Sequence, residues 1–77
     1  MNIDVLMGKM EKWTDKLAEK DFQQFTQAEQ KEIKQDYKMA EEQAKGYGTG
    51  ARATLVLKAF EKRVADMEGF FYETEQA

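Results

Sequence analysis

The sequence predicts an all-α fold, a small three-helix bundle, and three observations lead to this fold class. No proline occurs in the 77 residues, while Glu, Gln, Lys and Ala, all good helix formers, are abundant. Apolar residues recur at alternating steps of three and four in three stretches, as they do on one face of a helix. Two breaks, one with a helix-capping pattern and one rich in glycine, separate these stretches. We expect a single helical domain over residues 1–77.

The first helix is expected over residues 2–20. Its apolar residues form a narrow stripe: Ile3, Leu6, Met10, Trp13 and Leu17. The same spacing is the seam pattern of a coiled coil. An alternative architecture is therefore a hairpin of helices two and three, with helix one used for self-association.

A joint with two apolar anchors, Phe22 and Phe25, precedes the second helix, expected over residues 27–45. Thr26 and Glu29 match the capping box, in which each side chain accepts a hydrogen bond from the other residue's backbone N–H. The apolar stripe of this helix is thin: Ile33, Tyr37, Ala40 and Ala44.

Glycines separate the second helix from the third, which is expected over residues 51–68. Gly46 is expected to end helix two in the left-handed conformation. The predicted core draws on all three helices and the joint: Leu6, Met10, Trp13, Leu17, Phe22, Phe25, Ile33, Tyr37, Val56, Phe60, Val64 and Met67. A short aromatic and acidic segment, residues 69–77, follows helix three.

Composition excludes several functions. The chain has no Cys, His or Ser, which rules out Ser–His or Cys–His nucleophiles and the usual zinc sites. We expect no enzyme activity, cofactor or metal. The net charge of −3 argues against wrapping a nucleic-acid backbone. No stretch suits a membrane span and the first residues lack a leader pattern, which favours a cytoplasmic location without membrane contact.

The glycine-rich stretch is a candidate anion site because Gly46, Gly48 and Gly50 precede a helix start, with Arg52 nearby. A dinucleotide-binding fingerprint needs a strand before the glycines and a βαβ unit around them. A helix precedes these glycines, so a plain helix–helix connector is favoured.

The C-terminal segment is the main candidate site. It combines three consecutive aromatic residues with acids, and the predicted partner-binding residues are Glu68, Phe70, Phe71, Tyr72, Glu73 and Glu75. Tyr47, between glycines, is a further candidate contact. Large aromatics beside like charges are typical of contact anchors. The alternative is that Phe70 and Phe71 close the end of the bundle while the acids solvate the chain end.

Two charged patterns offer other interpretations. Glu29, Glu32 and Asp36 share a face of helix two and would imitate a row of phosphates, although interleaved lysines are typical of a solvated face. Helix three carries a small basic cluster, interrupted by acids: Arg52, Lys58, Lys62 and Arg63.

The function predicted from these features is a non-enzymatic protein–protein interaction module, an inhibitor or adaptor of a larger protein. In general character, small, acidic and helical, the chain is similar to phage-encoded inhibitors of host enzymes and defence systems. That similarity is an analogy without specific residues. The alternatives are a self-associating structural protein that works through helix one and a weak nucleic-acid binder that works through helix three.

Overall fold

A computed structural model, which describes residues 3–47, 50–67 and 70, shows a three-helix bundle. The helices are α1 (Ile3–Glu19), α2 (Gln27–Tyr47) and α3 (Gly50–Val64), and a short 3₁₀ turn, Phe22–Gln24, joins α1 to α2. Each helix packs against both others. The predicted fold class is therefore confirmed, and the alternative in which helix one stays free is not the structure found.

The joint between α1 and α2 is held by two capping arrangements. Asp21 caps the 3₁₀ turn through the Phe22 N–H, and the Asp21 N–H donates to Gln24 at 2.7 Å. The predicted capping box of α2 is present, because the N–H groups of Thr26 and Glu29 each donate to the other residue's side chain at 3.1 Å. Short-range capping thus fixes where the chain reverses direction.

The core lies between the three helices and contains the predicted residues. Of the twelve, Tyr37 and Met67 are half-buried against the core and the others are buried. The structure adds five buried apolar residues to the prediction: Met7, Ala40, Ala53, Leu57 and Phe70. Trp13 meets Phe25 edge-to-face with ring centroids 6.2 Å apart, which ties α1 to the joint.

Two predicted helix ends are corrected. Gly46 does not end α2, which continues to Tyr47; the described glycine with a positive φ is Gly50, at 81°. Helix α3 ends at Val64 and not at Glu68, and the Met67 N–H donates to the Val64 carbonyl in a closing turn. Beyond this turn, Phe70 lies in the core.

The corrected glycine roles give substitutions at Gly46 and Gly50 opposite expected signs. A Cβ added at Gly46 meets nothing within 4 Å, so Gly46→Ala should stabilise the protein by about 0.5 kcal/mol through helix propensity. Gly50→Ala should destabilise it by about 1 kcal/mol, because an L-residue is strained at positive φ. Urea unfolding midpoints of the two variants measure both effects. Destabilisation by Gly46→Ala would contradict the helical assignment of that residue.

Candidate functional site

Phe70 is the residue of the predicted partner-binding segment that the structure places, and it lies in the core. Its side chain is 2% exposed. The ring packs edge-to-face on Phe22, Phe60 and Tyr37, with centroids 5.3, 5.5 and 5.7 Å away. The structure thus corrects the assignment of Phe70 as a partner contact, because a buried ring offers no surface to another protein. Its alternative role, closing the bundle, is confirmed.

The other predicted site residues lie outside the described part of the chain. They are Glu68, Phe71, Tyr72, Glu73 and Glu75, together with the side chain of Tyr47. What the structure supplies for this site is its anchor, since Phe70 ties the segment to a defined point of the bundle. Here the aromatic cluster of Phe22, Tyr37, Phe60 and Phe70 joins α2, α3 and the joint between α1 and α2.

Tyr37 forms the polar edge of this aromatic cluster. Its ring stacks on Phe60 at 5.2 Å, and its hydroxyl oxygen lies 2.6 Å from Glu61 Oε2 and 3.2 Å from Glu41 Oε2. A phenol has one hydrogen to donate, and the shorter contact, to Glu61, is the stronger hydrogen bond. Burial first, and then the hydrogen bond and negative charge of Glu61, raise the pKa of Tyr37.

The raised pKa predicts that stability falls at alkaline pH. A group whose pKa is higher in the folded protein contributes fully below its unfolded value, about 10 for tyrosine, and loses that contribution as pH rises through the folded pKa. Urea unfolding from about pH 8 to about pH 11.5 should show the loss begin near pH 10. Tyr37→Phe should flatten this dependence. An identical pH profile in both proteins would contradict the prediction.

Two members of the predicted acidic row pair with side chains of α1: Asp36 in a buried position and Glu32 at the surface. The Trp13 indole N–H donates to Asp36 Oδ2 at 2.9 Å, and Lys9 Nζ lies 3.0 Å from the same oxygen and 3.3 Å from Glu32 Oε2. Asp36 is the buried charged residue among those described, 5% exposed. The pKa of Lys9 is raised, and the main cause is the hydrogen bond from Lys9 to Asp36. The interpretation of Glu29, Glu32 and Asp36 as a phosphate-like row is therefore wrong, since Asp36 faces α1.

The sequence analysis did not identify Asp36 as the acceptor for the Trp13 N–H. The available signal was position: Asp36 lies three residues after the core residue Ile33 and beside Tyr37. An acid at the edge of an apolar stripe lies close enough to the neighbouring helix to accept a buried N–H.

The basic cluster of helix three divides into two parts. Arg52 faces α1, with Nη2 3.1 Å from Glu11 Oε1 and Nη1 3.7 Å from Asp4 Oδ1. Lys58, Lys62 and Arg63 are exposed. The glycine-rich connector therefore lacks Arg52 as a free anion ligand, and a nucleic-acid surface on α3 loses one of its four cations.

The apolar stripe of α1, through which self-association was predicted, faces the chain's own core, with Ile3 partly buried against it. Leu6, Met10, Trp13 and Leu17 are buried within the chain's own core. The coiled-coil spacing of α1 is therefore used for packing on α2 and α3.

The described residues contain no group of acids, His or Cys arranged to hold a metal ion. Over the same residues, every buried side-chain nitrogen or oxygen has a hydrogen-bond partner. None of the described helices combines the length and apolar character needed to cross a bilayer. No protein family, curated protein or solved structure shows significant similarity to this chain.

Proposed function

We propose that this protein is a non-enzymatic interaction module that binds a larger protein through its C-terminal aromatic and acidic segment. Binding would inhibit the partner or adapt it to another molecule. Phe71 and Tyr72 supply apolar contacts in this proposal, and Glu68, Glu73 and Glu75 face basic residues of the partner. Tyr47 is an accessory contact.

The observation that carries the proposal is the burial of Phe70, which immediately precedes two further aromatic residues in the sequence. The cluster of Phe22, Tyr37 and Phe60 encloses the Phe70 ring. Phe71 and Tyr72 follow this anchored ring directly in the sequence. Aromatic side chains held next to a rigid anchor bind at low entropic cost.

The polar interior gives the proposal further support. The buried carboxylate of Asp36 accepts a hydrogen bond from Trp13 and pairs with Lys9, and the hydroxyl of Tyr37 donates to Glu61. These groups have structural partners, so they are not poised to act on a substrate. A function by surface contact agrees with this arrangement better than catalysis does.

The proposal is tested by affinity capture from a bacterial lysate with the tagged chain, with stoichiometry read by mass spectrometry. We expect one host protein at near-equal amounts, and weaker capture as salt rises, because the acids contribute. The double variant Phe71→Ala/Tyr72→Ala should lose the captured protein while circular dichroism stays unchanged.

Val5→Ala is the matched control, because Val5 is an apolar side chain on α1 that is 56% exposed. It should leave capture intact. Undiminished capture by the double variant would sink the proposal, as would loss of helicity in that variant, which would make the two aromatics core residues.

A further inference from the structure

The outer side of α3 forms a distinct surface, which we call the basic α3 face. It consists of exposed residues that helical spacing places together: Ala51, Leu55, Lys58, Ala59 and Lys62. Leu55 is 67% exposed, more than any other large apolar side chain in the described residues. Lys58 and Lys62 follow it by three and seven positions, so all three share one side of the helix.

The structure removes the acids from this surface. Glu61, the acid within Gly50–Val64, points to α2 and binds the Tyr37 hydroxyl at 2.6 Å. The charged side chains left on the outer side of α3 over this range are therefore positive, in a chain whose net charge is −3. The sequence alone, with Glu61 between Lys58 and Lys62, indicated a mixed and interrupted cluster.

We infer that the basic α3 face docks an acidic segment of a partner protein, with an apolar residue of the partner on Leu55 and carboxylates near Lys58 and Lys62. A single exposed leucine is ordinary on a protein surface. Leu55 lies one helical turn before Lys58 and two before Lys62, and neither lysine has an ion-pair partner among the residues that the structure describes; this arrangement gives the leucine a defined complement. The inference concerns a second surface and does not depend on the C-terminal segment.

Charge complementarity favours this occupant over two others. A two-fold dimer through the same face would set lysines against lysines, so a second copy is disfavoured. A nucleic acid would supply phosphates but nothing apolar for Leu55. In addition, Arg52 is engaged by Glu11 and Asp4 and adds no phosphate contact.

The probe is a synthetic helix-forming peptide whose apolar stripe of Leu and Ala is flanked by Glu residues (the Glu peptide). It is compared with a control peptide in which every Glu is replaced by Gln (the Gln twin). Each is titrated into the ¹⁵N-labelled full chain and followed by amide chemical shifts. We expect the Glu peptide to change the amide chemical shifts of residues 51–62. The Gln twin should bind about tenfold more weakly, because it cannot form ion pairs with the lysines.

Two variant pairs locate the binding. The double variant Lys58→Glu/Lys62→Glu should bind the Glu peptide about tenfold more weakly or worse, whereas Lys12→Glu/Lys31→Glu should change the affinity much less. Both pairs replace exposed lysines and take the net charge from −3 to −7. Leu55→Gln should lower the affinity for both peptides. Helicity should be kept in this variant, because Leu55 is exposed.

Four results would overturn the inference: no shifts with the Glu peptide, equal binding of the Gln twin, equal loss in both lysine pairs, or a dimer in sedimentation that Leu55→Gln dissociates. Tighter binding of a duplex DNA at the same amides, unaffected by Leu55→Gln, would also overturn it, in favour of a nucleic acid. Phe71→Ala/Tyr72→Ala should bind the Glu peptide normally, so failure of this inference and failure of the proposed function are distinguishable.

Discussion

Phe70→Ala is expected to lower the free energy of unfolding by about 3–5 kcal/mol, the range for truncating a buried phenylalanine. The ring fills the space between Phe22, Tyr37 and Phe60, and it is 2% exposed. Its loss removes apolar burial and three edge-to-face contacts and leaves a cavity. A domain of 77 residues has a total stability of about 4–12 kcal/mol, so this single change takes a large part of it.

Urea unfolding followed by circular dichroism measures this loss. Phe71→Ala is the matched control, since it makes the same substitution at the adjacent position and should cost less than about 1 kcal/mol if Phe71 is a contact residue. Phe70→Leu should recover part of the stability because it refills some of the cavity. A Phe70→Ala protein as stable as the unaltered chain would contradict the packing described for this ring.

Asp36→Ala is expected to cost about 2–3 kcal/mol. The change leaves the Trp13 N–H without its acceptor in a buried site, and an unsatisfied buried donor costs about 1–3 kcal/mol. It also removes the carboxylate that Lys9 approaches at 3.0 Å. The remainder of the cost comes from lost packing at a position that is 5% exposed.

Asp36→Asn separates the hydrogen bond from the charge. The amide oxygen of Asn can still accept from Trp13, so the expected cost is about 1 kcal/mol, attributed to the lost charge near Lys9. Lys9→Met in the Asp36→Asn background should then cost less than Lys9→Met alone, since the two changes remove the same interaction. Equal costs for Asp36→Ala and Asp36→Asn would show that the Trp13 hydrogen bond contributes nothing.

The same two residues show how far sequence reasoning reached. Phe70 was predicted as a partner contact because large aromatic residues beside like charges are typical of contact anchors. In the bundle, α3 ends at Val64 in a closing turn, and Phe70 is buried in the core. Asp36 was predicted as a solvated or phosphate-like acid because interleaved lysines mark a wet face. The burial of Asp36 depends on its hydrogen bond with Trp13, which lies 23 positions earlier in the chain. No pattern within the sequence of α2 can indicate that partner.

The candidate surfaces divide in the same way. The acidic and aromatic character of residues 68–75 is visible in composition, and the proposal for them rests on that character together with the Phe70 anchor. The basic α3 face is visible in the sequence only as an interrupted cluster, because Glu61 breaks the basic run along the chain. It becomes uniform only when Tyr37 draws Glu61 toward α2.

The sequence by itself determined the number of helices, the capping box at Thr26 and most of the core, because periodicity and capping are short-range effects within one helix or turn. Tertiary structure alone decided that Gly50 takes a positive φ, that α3 ends at Val64, and that Phe70, Asp36 and Arg52 face inward or toward α1. These outcomes depend on the register between helices. That register is set by how side chains distant in sequence fit together, which no single helix encodes.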